Sequence, residues 1–384
     1  MIDKNVQIPI ERYLEKDILH YFQPNKVVVI YGPRRVGKTT LLHQLAKQIN
    51  EPILWLNGEN LDIQGWLSSQ SLDKLTNGIG SFRAIIIDEA QRVDQIGLNL
   101  KILIDSIPGI RIIATGSSSF DLAHQVGEPL VGRKWQYTLY PIAQLELSPA
   151  ETPFESKLKL ESRLIYGSYP EVITAQGDLD KRKVLESIVD GALFKDIFML
   201  EGVKKPAKIV QLAKALALQI GNQVSLTELS NTLDINIATV ERYLDLLEKT
   251  FVIIRVSGFR RNLRTELTKT CRYYFWDNGV RNALINNFNP LNLRDDVGKL
   301  WENYIFIERM KKRDYQHIGS NIYFWRTHDR QEIDLVEERG GKLYGIEIKW
   351  SPKKVRPPHG WPTSYPNAEF TVISRENYLE FIAT

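Results

Sequence analysis

Short runs of consecutive apolar residues alternate along the chain with stretches where apolar residues recur every three or four positions, the pattern of buried strands interleaved with helices. Val27-Val28-Val29-Ile30-Tyr31 is one such run; a glycine-bounded segment, Gly32 to Thr40, follows, and Leu42, Leu45, Ala46 and Ile49 then recur at helical spacing. Upstream, Ile10, Tyr13, Leu14, Ile18, Leu19 and Phe22 predict an amphipathic helix over 8–22. Downstream, Pro52–Leu56, Phe82–Ile87 and Arg111–Thr115 read as further strands, the second ending in Asp88-Glu89 and the third in Gly116-Ser117-Ser118-Ser119. Apolar strands of this kind, separated by helices, predict an α/β domain with a parallel sheet whose ligand edge receives those polar termini.

Residues 141–222 carry mostly helical periodicity, interrupted by the turn Tyr166-Gly167-Ser168-Tyr169-Pro170. Residues 226–248 read as helix, short turn, helix, with Phe251–Val256 as a following strand, the arrangement of a winged helix-turn-helix. The early exposed face of its second helix offers Thr239, Glu241 and Arg242, and the acids nearby leave open whether it touches DNA or serves packing or oligomerisation. Arg272–Asp277 predicts an edge strand and Gly298–Glu308 an amphipathic helix. Asn321–Arg326, Glu332–Glu337 and Leu343–Trp350 predict three more strands.

Composition narrows the class. With 384 residues, 43% hydrophobic and 25% charged, the chain has the make-up of a soluble protein of two or three domains. No apolar run reaches the ~18 residues of a membrane span and the first residues lack a signal-peptide core, so a cytoplasmic location without membrane attachment is expected. Cys271 is the sole cysteine, which excludes an internal disulfide, and the six histidines show no metal-ligand spacing. A net charge of +4 is weak, although residues 256–384 hold 21 Lys and Arg against 16 Asp and Glu. A polyanion partner and a solvated mixed-charge surface are both compatible with that surplus.

Gly32-Pro33-Arg34-Arg35-Val36-Gly37-Lys38-Thr39-Thr40 contains G-x-x-x-x-G-K-[ST] between a strand and a helix, the context of a phosphate-binding loop. Gly32 and Gly37 let successive N–H groups converge on an anion, where the following helix adds its positive end. Lys38 would reach the β- and γ-phosphates, and Thr39 would ligate Mg²⁺. Asp88 would hold the metal's hydration shell and Glu89 would polarise the attacking water. The expected cofactors are ATP and Mg²⁺.

G-P-R-R-V-G-K-T-T-L-L, I-I-I-D-E-A-Q, A-T-G-S-S-S-F and V-G-R together resemble the AAA-type branch of P-loop ATPases, and more narrowly a large group of prokaryotic members. The resemblance implies a sensor strand inserted between the two motif-bearing strands, with Ser117, or Ser118 next to it, positioning the lytic water. It also implies a helical lid after the core. For Arg133 it leaves two roles open, a finger or sensor arginine at the phosphates and a structural salt bridge.

Near the C-terminus, Asp334 and Glu347 fall on neighbouring strands with Lys349 two residues on, which places all three on one face because the strand period is two. Two carboxylates suit a divalent metal, an ammonium suits activation of water at a phosphodiester, and Glu302 on the preceding helix would complete the ligands. The spacing resembles the PD-(D/E)xK nuclease superfamily, with Ile333 where that motif's proline would stand. The expected organisation is an AAA-type P-loop ATPase core over 1–140, a helical lid with winged helix over 141–257, and a restriction-endonuclease-like α/β domain over 258–384. The leading expectation is an ATPase acting on DNA, coupled to a metal-dependent nuclease site of Asp334, Glu347 and Lys349. The alternative is a nucleotide switch for a protein partner with a non-cleaving C-terminal domain; homo-oligomerisation stays open in both.

Overall fold

In a computed structural model, described for residues 10–117, 129–193, 205–259, 271–327, 329–352 and 354–384, β1 (Lys26–Tyr31) is buried over its last five residues. It pairs with β4 (Arg111–Gly116) on one side and β5 (Lys134–Thr138) on the other. β3 (Ala84–Asp88) lies beyond β4, and β2 (Ile53–Asn57) beyond β3. Every pairing is parallel and the order is β2-β3-β4-β1-β5, so β4 stands between the strands that carry the two phosphate-site motifs. Continuous Val and Ile runs form β1, β3 and β4 because helices cover both faces of such a sheet. The helix near the start is shorter than the periodicity predicts, Glu15–Tyr21, with Arg12 lying before it.

The chain divides into two compact units, one running to Tyr140 with Lys249–Phe251, the other Pro141–Glu248 with Val252–Thr384. In the second, the helices Leu226–Leu233 and Ile237–Lys249 flank a tight turn at Asp234, whose φ is 51°. Ser225 caps the first of them by accepting from Glu228 N. Strands β6 (Gln223–Val224), β7 (Ile253–Ser257) and β8 (Cys271–Phe275) form an antiparallel sheet ordered β6-β8-β7. β8 is therefore central, not the edge strand that its polar-aromatic sequence predicts. Its last four residues are all buried, Arg272 among them, and both sides are hydrogen-bonded. It also lies beyond residue 257, so the middle sheet draws on both sides of the boundary expected there.

The turn Tyr166–Pro170 is a packing device. Asp277 accepts from Ser168 N at 2.7 Å and from Val280 N at 3.1 Å, capping the helix Asn278–Leu284. A Cβ on Gly279 would lie 2.0 Å from the Tyr166 carbonyl oxygen, so only glycine lets these two turns meet. Burial pushes the Asp277 carboxyl above its usual range despite those N–H donors.

β9 (Asn321–Arg326), β10 (Glu332–Arg339), β11 (Lys342–Ile348) and β12 (Glu369–Ile373) make a mixed sheet ordered β12-β11-β10-β9. The 19-residue helix Val297–Tyr315 packs Trp301, Ile305 and Phe306 into one core with Phe324, Leu335 and Ile346. Among the described residues, no helix is long and apolar enough to cross a membrane.

Candidate nucleotide site and C-terminal acidic site

The phosphate loop leaves β1 at Tyr31 and enters the helix Lys38–Ala46 through Gly37, whose φ of 94° is left-handed. Gly32 is forced by contact, since a Cβ there would stand 2.3 Å from the Leu139 carbonyl oxygen. Arg35 also takes a left-handed φ, 63°, in the middle of the loop, a conformation that costs a non-glycine residue energy and recurs at ligand-binding turns. Arg12 fixes the loop from outside, donating to Val36 O and Tyr140 O at 2.7 Å each. Lys38 Nζ donates to Gly32 O at 2.8 Å and Pro33 O at 3.0 Å, which folds the ammonium back over the loop. Pro33, Arg34 and Thr40 complete this loop and the first turn of its helix.

Asp88 ends β3 at the same sheet edge. Thr39 Oγ1 donates to its Oδ2 at 2.6 Å, Thr115 Oγ1 donates to its Oδ1, and Glu89 N donates to Oδ1 at 3.1 Å. The carboxylate is 6% exposed and has no cationic partner among the described residues. A buried anion held by hydroxyls and one N–H, with a threonine hydroxyl touching it, suits a hydrated Mg²⁺ ion. When bound, that ion would neutralise phosphate charge between Thr39 and Asp88.

Glu89 follows with a left-handed φ of 52°. Gln91 Nε2 donates to Glu89 Oε2 at 2.5 Å and to Ser117 Oγ at 2.9 Å, linking the base candidate to the sensor candidate. Sequence reasoning passed over Gln91, Thr115 and Arg12. The D-E-A-Q spacing, which returns Gln91 toward Glu89 through the single turn Ala90–Arg92, was a signal for the first. Ser118 lies outside the described residues.

Arg133 lies away from the phosphate loop of its own chain. It precedes β5, whose Lys134 is level with Val27, whereas the phosphate loop follows Tyr31, level with Thr138. Five residue steps of roughly 3.3 Å, from Arg133 to Thr138, place it at the opposite edge of the sheet from this chain's own phosphate site. There Arg133 pairs with Asp105 at 3.1 Å, both side chains partly exposed. A half-solvated pair of this kind is worth at most about 1 kcal/mol.

The C-terminal candidates do converge. Leu335 pairs with Ile346 across β10 and β11, so Asp334 and Glu347 fall at the next cross-strand step, and Asp334 Oδ2 accepts from Ile348 N at 3.0 Å. Lys349 Nζ lies 2.5 Å from Glu347 Oε1 and 3.8 Å from Asp334 Oδ2. Glu302 comes in from the helix Val297–Tyr315, accepting from Tyr274 Oη at 2.8 Å and pairing with Lys299 at 3.0 Å. Burial first, then the Asp334 charge, raises the carboxyls of both Glu302 and Glu347 above their usual range. Burial opposes the Lys349 ammonium, but the Asp334 and Glu347 charges outweigh it and hold the group above its ordinary value.

One residue in this cluster was not anticipated. Arg272, from β8, lies 3.5 Å from Glu302 Oε1, 3.6 Å from Asp334 Oδ1 and 2.9 Å from Glu332 Oε2. Its guanidinium stacks 4.8 Å from the Phe324 ring centre and is 2% exposed. Among the described residues, no group of three or more His, Cys, Asp or Glu side chains is arranged to hold a metal ion. The expected metal set Glu302, Asp334 and Glu347 is thus brought together, but around cationic side chains.

A loop between strand and helix, a buried Asp beside its threonine and a Glu held at the same parallel-sheet edge define a P-loop α/β nucleotide-binding unit. Residues 24–148 match the family model described as AAA domain. Residues 157–291 and 297–360 match two models each described as a domain of unknown function, DUF8612 and DUF4143. The chain is 29% identical over 329 residues to an uncharacterized protein of Mycobacterium tuberculosis, covering 84% of this chain and 70% of that one. It is 26% identical over 361 residues to an uncharacterized protein of Haemophilus influenzae, covering 88% and 86%. Among solved structures, it is similar to a signal transduction ATPase with numerous domains and a tetratricopeptide repeat sensor from Pyrococcus horikoshii, at 19% identity and a TM-score of 0.32. That match covers 80% of this chain, which spans only 46% of the Pyrococcus protein. The Thermotoga maritima RuvB Holliday junction branch migration motor matches at 19% identity and a TM-score of 0.31, over 64% of this chain and 90% of that one.

Proposed function

We propose that the chain binds ATP with Mg²⁺ at the β1 loop, hydrolyses it to ADP and phosphate, and uses the nucleotide state to control a partner held by its second unit. The observation that carries this reading is the Thr39–Asp88 contact at 2.6 Å with Glu89 at the same sheet edge, joined through Gln91 to Ser117. Lys38 turns from the loop carbonyls to the β- and γ-phosphates. Glu89 orients a water for in-line attack and accepts its proton, while Gln91 and Ser117 fix where Glu89 points. Thr39 and Asp88 would hold the Mg²⁺ ion, which when bound would supply charge neutralisation at the transferred phosphoryl group.

For the partner, the helix pair 226–249 with its three-stranded sheet fits a winged-helix element. The second helix presents Glu241, Asp245 and Glu248 around a recess of about 110 Å³ shared with Arg255 and Tyr273. Carboxylates at that surface repel phosphates, so we assign a protein partner before DNA. The DNA-acting reading keeps one specific support, the basic surplus beyond residue 256, including the segment 260–264, which lies outside the described residues. Steady-state ATP turnover of the wild type and Lys38→Ala, each with and without single-stranded, duplex and branched DNA, tests both. Turnover lost in Lys38→Ala and unchanged by DNA is expected. Stimulation by DNA would favour the DNA-acting ATPase, and absence of turnover in the wild type would overturn the proposal.

A further inference from the structure

We propose that Arg272 is the resident cation of the Glu302–Asp334–Glu347 cluster, making it a metal-independent ion-pair junction between the β6–β8–β7 sheet and the β9–β12 sheet instead of a metal-dependent phosphodiesterase site.

The carboxylate oxygens of the cluster are already committed, all but one. Glu302 Oε1 takes the Tyr274 hydroxyl and faces Arg272 Nη1, while its Oε2 faces Lys299. Asp334 Oδ1 faces the same Arg272 nitrogen, and Oδ2 takes the Ile348 N–H with Lys349 nearby. Glu347 Oε1 takes Lys349. That leaves Glu347 Oε2 as the buried oxygen of this set without a hydrogen-bond partner, and the partners of the others include the cations Arg272, Lys299 and Lys349, which repel a divalent ion as the hydroxyls around Asp88 do not.

Charge points the same way. Glu302, Asp334, Glu347 and Glu332 meet Arg272, Lys349 and Lys299, so three of four negative charges are balanced by side chains already in place. A guanidinium does not lose its proton in proteins, so Arg272 cannot make room for a metal by deprotonation, as a lysine does. The surrounding acids hold it more firmly charged still, against the opposing effect of burial. Stacking on Phe324 and burial to 2% exposure fix it inward. β8 is hydrogen-bonded on both sides, so its backbone cannot withdraw the side chain without breaking the β6–β8–β7 sheet. Arg272 belongs to the segment matched as DUF8612 and its acids to the segment matched as DUF4143, so the junction ties two sequence-defined segments within one unit.

Titration of the nucleotide-free full chain with Mn²⁺ alone, read by loss of the free-ion electron paramagnetic resonance signal, tests this. Wild type and Glu347→Gln are expected to bind Mn²⁺ equally. Arg272→Ala is expected to gain one site, tighter than any wild-type site by tenfold or more, that disappears in Arg272→Ala with Glu347→Gln. A wild-type Mn²⁺ site lost in Glu347→Gln would overturn the proposal, and so would a folded Arg272→Ala chain that gains no binding. If Arg272→Ala does not fold, the comparison of wild type with Glu347→Gln decides alone.

Discussion

Gln91 holds two residues at once, which makes it the most informative side chain at the phosphate edge after the motif residues themselves. Removing its amide leaves Glu89 free to rotate without taking away a phosphate ligand. Gln91→Ala is therefore expected to lower kcat about tenfold or more while ATP affinity changes little, measured by turnover beside equilibrium nucleotide binding. Thr115 is different, because its hydroxyl bonds a buried carboxylate. Thr115→Val should destabilise the fold by about 1–3 kcal/mol by taking from the buried Asp88 Oδ1 one of its two donors and leaving only Glu89 N, read from urea unfolding midpoints. In the second unit, Arg163 binds both oxygens of Glu151, at 2.5 and 2.7 Å. Burial alone would raise that carboxyl, but the bonds from Arg163 and Lys159 hold it below its ordinary value of 4.5. A depressed carboxyl means that the unfolded chain takes up the proton first, so the pair's stability is present above about pH 4.5 and is lost as pH falls through the native value. Glu151→Gln should show a shallower loss of stability than the wild type across that range.

At the scale of elements, close approach between turns sets the sharpest constraint. Gly279→Ala would drive a Cβ into the Tyr166 carbonyl and should cost about 2 kcal/mol or more, whereas Gly298→Ala, with nothing within 4 Å, should be neutral or slightly stabilising. Thermal unfolding of the two variants side by side checks this. The same contrast explains how far the sequence could be read. β1, β3 and β4 were legible because each holds consecutive Val or Ile residues in a stretch buried on both faces, and their ends carry the motif residues. β5 was not, because Lys134, Trp135 and Gln136 are half-exposed or exposed on a sheet edge and show no apolar run. β12 escaped for the same reason, alternating exposed and half-buried residues in Glu369–Ile373. Asp334, Glu347 and Lys349 were legible from strand period alone. Arg272 was not, since only the pairing of β8 into a sheet formed with β6 and β7 brings it to acids 30 and 62 residues further on.

At the scale of the whole molecule, the proposed function divides between a nucleotide site in the first unit and a partner-binding role in the second. The first rests on side chains that short motifs already name, and it needs one residue above all for chemistry and not for binding. Glu89→Gln keeps the size and the hydrogen bond to Gln91 yet cannot accept a proton, so it separates the two. The most direct test is single-turnover hydrolysis of ATP, with ATP binding measured on the same samples of wild type and Glu89→Gln. The account predicts binding within about twofold of the wild type and a hydrolysis rate lower by a factor on the order of 10² to 10⁴. Wild-type hydrolysis rates in Glu89→Gln would contradict it.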